Sequence, residues 1–194
     1  MKKLVVIVAV AFSAIIANAA AFTWATGTLA SKGPIYAPES TTKISGIAYI
    51  FGADVAQQTI MDAFFAGTDL ATFALDSSAV TEGKIAAKSA TPFTYGGEGV
   101  AATFSGYIAA ITTIEDQNYL FISSNVTKDG AATGTAAISI NAAADSKLAA
   151  TVFGEADPHT FGSAGWYTES VPEPTSGLLL LLGMAGLALK RKQA

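Results

Sequence analysis

Polar turn signals break up the stretch between Ala20 and Ser170 at short intervals, and this punctuation limits what the chain can fold into. Glu115-Asp116-Gln117-Asn118, Lys128-Asp129-Gly130 and Asp145-Ser146-Lys147 each interrupt runs rich in β-branched and aromatic residues. Short runs of that kind, bounded by turn formers, read as strands rather than helices. The expected strands cover 22–29, 43–51, 93–95, 100–114, 119–123, 134–140 and 148–153, with Gly106 as a bulge or kink in the longest. One region departs from the pattern. Over 54–65 the apolar residues Val55, Ile60, Met61, Phe64 and Phe65 recur at helical spacing, with Asp54 as N-cap and Gly67 as stop. Residues 68–75 read as a second short helix or as a strand. The expected fold is mainly β, an antiparallel sandwich or curled sheet. One or two short helices enter after the second strand, the aromatic and isoleucine residues fill the core, and threonine-rich faces meet water.

Charge narrows the function classes. Residues 20–170 hold six lysines, no arginine and fourteen Asp and Glu, a net charge of −8 against −4 for the whole chain. The basic ends mask an acidic domain. Nucleic-acid affinity comes largely from cations that neutralise phosphate, so nucleic acid is excluded as a partner. The chain has no cysteine, which removes disulfides, thiolate nucleophiles and Cys-ligated zinc. The stretch is long enough for one domain with its own core.

Both termini are apolar. Lys2 and Lys3 precede an apolar run over 4–16, followed by Ala17-Asn18-Ala19. That is the charged start, greasy centre and small-residue cleavage site of a secretory signal peptide, over 1–19 with cleavage set by Ala17 and Ala19. A cut after Ala21 is a close second, and a permanent N-terminal anchor is the alternative that the short run disfavours. At the other end, 175–189 carries no charge. A helix of that length spans roughly 20–23 Å, whereas a bilayer core is ~30 Å thick. Such a helix is a marginal anchor. Lys190, Arg191 and Lys192 stay cytoplasmic by the positive-inside rule, as do Lys2 and Lys3, so everything between the two apolar runs lies outside the inner membrane. Pro172 and Pro174 hold the junction extended.

Val171-Pro172-Glu173-Pro174, a short apolar helix and Lys190-Arg191-Lys192, in that order, resemble the PEP-CTERM sorting signal of Gram-negative bacteria. The resemblance implies recognition by exosortase, a membrane-embedded, cysteine transpeptidase-like enzyme. It also implies cleavage near Pro-Glu-Pro and delivery to the cell surface or extracellular matrix. It covers the last two dozen residues and implies nothing about 20–170. The expected organisation is a signal peptide over 1–19, an exported acidic β-rich domain over 20–170, and a sorting tail with a short transmembrane helix over 171–194. The expected partners are the secretion machinery, an exosortase-like enzyme and the inner membrane, with exopolysaccharide as a candidate contact at the destination.

Within the domain the chemistry is sparse. His159, near Glu155 and Asp157, offers a base or metal ligand without convergent partners, and reads as a solvated loop histidine. Glu115-Asp116 reads as a turn rather than the facing carboxylates of a glycosidase. Asp129, Asp145, Glu155 and Asp157 are hard oxygen donors for calcium but lack EF-hand spacing. The glycine-rich stretch 95–102 reads as a hairpin turn. No catalytic residue, cofactor or metal site is therefore expected. Trp24, Trp166 and Tyr167 stack on sugar rings if exposed; if buried, they are core aromatics of the terminal strands, which is the favoured reading. The leading expectation is a non-enzymatic envelope or matrix protein, with a carbohydrate-binding surface module and a secreted hydrolase as alternatives.

Overall fold

The structure, a computed structural model, describes residues 20–27, 33–86, 91–96, 102–131, 134–154 and 159–169. The expected signal peptide and the expected tail helix lie outside the described residues. Among the described residues the strands are β1 (Ala20–Thr26), β2 (Gly46–Gly52), β3 (Asp76–Thr81), β4 (Lys84–Ile85), β5 (Phe93–Tyr95), β6 (Thr103–Ile114), β7 (Gln117–Ile122), β8 (Val126–Asp129), β9 (Thr135–Ile140), β10 (Ala150–Phe153) and β11 (Gly165–Glu169). Two helices, α1 (Gln57–Phe65) and α2 (Ala143–Ser146), and a 3-10 turn at Leu70–Thr72 complete the set.

The strands form two sheets. A small one runs β5-β1-β9; a large one runs β10-β11-β7-β6-β2-β3-β4, with β8 also paired to β6. The alternation in β1 and β9 aims Phe22, Trp24, Ile138 and Ile140 at the large sheet, while Thr135, Ala137 and Ser139 of β9 face water. The large sheet is covered on both sides. Ala48, Ile50, Ile108, Ala110 and Phe121 pack with the small sheet, and their alternates Tyr49, Phe51, Tyr107, Ala109 and Ile122 pack under Ile60, Met61 and Ala63 of α1. Residues buried on both faces lose the polar-apolar alternation of a half-wet strand. The unbroken buried run over 106–110 in β6 shows it.

The expected mainly β fold is present, with α1 after the second strand, but four details differ from expectation. First, the sheets are not wholly antiparallel. β1 pairs β9 in parallel, with Trp24 opposite Ile138, and β10 pairs β11 in parallel. Neither pair is joined by a tight turn, which is the condition for parallel pairing. Second, Asp54 does not cap α1. The chain first turns off β2, with Val55 N–H donating to Gly52 O, and Ala56 takes the N-cap position without a side-chain bond. Gly67 does end the helix region, at φ 67° with its N–H donating to Phe64 O. Third, Lys128 and Asp129 close strand β8, and Asp145 and Ser146 belong to α2, where turns are expected. The Glu115-Asp116 turn is present: Ile114 pairs Gln117 across a two-residue loop with both φ positive, which suits the twist of a hairpin.

The fourth difference concerns Gly106. The break lies in the partner strand instead. β8 pairs β6 over Thr103–Gly106 and β7 pairs it from Ala109 onward, along the same edge. Ser123 bridges the gap: Ile108 N–H donates to Ser123 Oγ at 3.0 Å, and Ser123 N–H donates to Ile108 O at 2.9 Å. Gly106 answers a different need. It sits opposite Gly52 in the β2–β6 ladder, and a Cβ there would lie 2.0 Å from Phe51 O. Gly106→Ala is therefore expected to lower stability by about 3 kcal/mol, the upper end of the range for overpacking a filled interior. Urea unfolding with an unchanged m-value would measure it.

Candidate functional site

Trp24 and Trp166 are each 1% exposed and Tyr167 is 3% exposed. Stacking on a sugar needs a free ring face, so these three residues are core, as the favoured reading expects, and the glycan-stacking alternative is corrected. Their polar atoms are spent inside the protein. Trp24 Nε1 donates to Asp76 Oδ2 at 2.8 Å, joining the small sheet to β3 of the large one. Trp166 Nε1 donates to Ser146 O at 2.7 Å and to Tyr36 O at 3.1 Å. That second tryptophan thereby ties β11 to α2 and to the segment around Tyr36, whose N–H donates to Ser146 Oγ. Tyr167 OH donates to Ser163 O and accepts from Ser163 N–H.

His159 is not the solvated loop residue expected. Its ring stacks on Phe65 of α1 with centroids 3.7 Å apart and planes 9° apart, and meets Phe153 edge-on at 5.3 Å. Among the described residues, Nδ1 of His159 is a buried side-chain atom with no hydrogen-bond partner. Gln58 pins the loop beside it: Nε2 donates to His159 O at 2.7 Å, and Oε1 accepts from Phe161 N–H at 2.6 Å. The imidazole packs as an aromatic plate, and among the described residues its Nδ1 has no orienting acceptor of the kind a general base or metal ligand carries.

The carboxylates do not converge. Asp129 accepts from Thr103 Oγ1 at 2.7 Å, while Asp145 accepts from Ser124 N–H at 2.8 Å on another element. Among the described residues no three His, Asp or Glu side chains are placed to hold a metal ion. Glu155 and Asp157, like 97–101 of the glycine-rich stretch, lie outside the described residues. A groove of roughly 470 Å³ opens between the end of β1 and the β3–β4 hairpin, lined by Thr26, Gly27, Ser78, Thr81, Lys84 and Ile85. Thr26 Oγ1 is taken up there by Ile85 N–H at 2.9 Å. Among the described residues, one ammonium with hydroxyls and small apolar groups makes no acid–base pair there.

The remaining feature is where the chain leaves the domain. β11 lies inside the large sheet, antiparallel to β7 with Thr168 opposite Tyr119, and parallel to β10 with Glu169 opposite Phe153. Thr168 is buried, and its Oγ1 donates to Asn118 O at 3.2 Å. Gln117, in the first position of β7, donates from Nε2 to Thr168 Oγ1 at 2.6 Å and to Glu169 O at 2.5 Å. Sequence reasoning places Gln117 in a turn and leaves β11 unassigned; a glutamine after an acidic pair carries no signal of its distant partner.

Two residues on the other face of the large sheet have shifted acidities. Burial, reinforced by the negative charge of Asp54, pushes the Tyr107 phenol well above its usual 10.0, and its OH donates to Val55 O at 2.9 Å. Burial and then Asp69 raise Tyr49 in the same direction.

A family model for the PEP-CTERM protein-sorting motif matches residues 170–192, the tail that follows β11. No curated protein and no solved structure matches the chain.

Two outcomes follow from this geometry. Asp76→Ala leaves a buried indole N–H without its acceptor and is expected to cost about 2 kcal/mol, read by chemical denaturation, with iodide failing to quench either tryptophan in the native parent. The native state also disfavours ionised Tyr107. Stability is then fully present below pH ~10 and falls as the pH rises above it, toward the higher folded-state value. Tyr107→Phe should flatten that alkaline decline in thermal midpoints measured between neutral and strongly basic pH.

Proposed function

We propose that this chain is an exported envelope or matrix protein with a structural or interaction role and no enzymatic activity. A tail at 171–194 sorts it: the tail halts briefly in the inner membrane and is then removed by an exosortase-like enzyme. The observation that carries the reading is the sorting motif at 170–192. The physics of the segment supports it. The uncharged stretch 175–189 is short for a bilayer core and must thin the lipid or rely on snorkelling neighbours to stay. Lys190, Arg191 and Lys192 behind it stop passage to the outside. The domain ahead of it is acidic, with a net charge of −8 over 20–170, and is repelled by anionic headgroups rather than held by them. The non-enzymatic part of the reading is supported by the scatter of titratable groups: His159 stacks on phenylalanines, and Asp129 and Asp145 tie down separate elements.

The test is to isolate the surface-located protein from its own host and map its C-terminus by mass spectrometry. The expected mature form ends within or near 171–174. Recovery of surface protein that still carries Lys190–Lys192 would defeat the sorting reading.

A further inference from the structure

The large sheet ends on a strand with a bare outer side. Among the described residues β10 pairs with β11 and with no other strand, so the backbone N–H and C=O groups that β11 does not use face outward. The opposite end of the sheet is tied in: β4 is two residues long, and Ile85 N–H donates to Thr26 Oγ1 of β1 at 2.9 Å. Among the described residues the two most exposed large apolar side chains are Val152 at 60% and Leu148 at 52%, one in β10 and the other just before it. We propose that β10 is a self-association edge, on which a second copy of this chain pairs its own β10 antiparallel and so continues the large sheet. The edge belongs to the domain and is independent of how the tail is processed.

Three observations select a second copy as the occupant. First, an exposed strand edge is ordinarily guarded by charge, proline or a bulge, and this one has none of them. Leu148–Gly154 carries no charge and no proline, and β10 keeps unbroken register with β11 from Ala150 to Phe153. The neighbouring Lys147 is engaged elsewhere, with its ammonium 4.6 Å from the centroid of the Tyr36 ring. Second, the edge is complementary to itself. Alternation puts Ala150 and Val152 on one face of the strand. A two-fold axis normal to the sheet at Thr151 keeps like faces together and sets Val152 opposite Ala150 of the partner subunit, twice, with no charge facing a like charge. Third, one bare end per large sheet makes the contact isologous and closed, so pairing uses both edges and stops at a dimer. The contact is small. Four residues per copy lie well below a standard interface, which corresponds to a Kd on the order of 100 µM. The charge of −8 over 20–170 opposes approach, so screening by salt tightens the pair.

The test follows the full chain in mild detergent by sedimentation velocity, from about 1 µM to about 1 mM. A monomer–dimer equilibrium is expected, about three-fold tighter in roughly 0.5 M than in roughly 0.05 M salt. Val152→Lys places like charges on the edge at an exposed position, and should weaken association about ten-fold with an unchanged thermal midpoint. The chain has no cysteine, so single cysteines report the geometry in an otherwise unaltered protein. Thr151→Cys should be joined to its own copy by a short thiol cross-linker, whereas Ala79→Cys, exposed on β3 toward the other end of the sheet, should not. A chain that stays monomeric throughout the range overturns the inference. Association that survives Val152→Lys, or that cross-links Ala79→Cys as well as Thr151→Cys, belongs to the tail or to another surface and also overturns it. A monomer whose β10 amides are protected only by an added extended peptide overturns it too, and gives the edge to a different chain.

Discussion

The β2–β6 pair must be buried on both faces, and the remainder of the domain is arranged to satisfy that demand. One face of the pair carries Ala48, Ile50, Ile108 and Ala110, the other Tyr49, Phe51, Tyr107 and Ala109. A sheet with two apolar faces needs a layer against each. The small sheet serves one face with Phe22, Trp24, Ile138 and Ile140; α1 serves the other with Ile60, Met61 and Ala63. Close approach at the centre comes from glycine. A Cβ on Gly106 would meet Phe51 O, and one on Gly46 would lie 2.1 Å from Ile111 O. These glycines are needed for distance rather than for unusual dihedral angles.

The tryptophans show how the layers are held in register. Each places its ring in the inter-sheet core and uses its single donor to reach another element: Trp24 to Asp76, Trp166 to Ser146 and Tyr36. An indole N–H buried without an acceptor is costly, so these bonds restrict which sheet arrangement is allowed more than they add to its strength. With no cysteine available for disulfides, such donor–acceptor ties and the packing around them are what join elements distant in the chain.

β11 is an interior strand flanked by β7 and β10, which holds the chain in the large sheet up to Glu169. Glu115, Asp116 and Glu169 set acidic residues at that end of the large sheet.

Much of this was readable from residue order alone, because it depends on local chemistry. The period of apolar residues marks most strands and α1, the Glu115-Asp116 turn follows from its flanking runs, and the acidic balance and the sorting tail are linear features. The strands that escaped are β3, β4, β8 and β11: β3, β4 and β8 are short and rich in Ser, Thr or charge, and β11 is five residues with only two aromatics to mark it, so they hold their place through neighbours more than through a long apolar stripe of their own. Tertiary structure alone decided three further matters. It buried the tryptophans, turned His159 from a candidate ligand into a stacked plate, and clamped Glu169 through Gln117, fifty-two positions away. Burial and long-range hydrogen bonding depend on which surfaces meet after the sheets close. A sequence records what each residue can donate, accept or cover, and folding selects the partner.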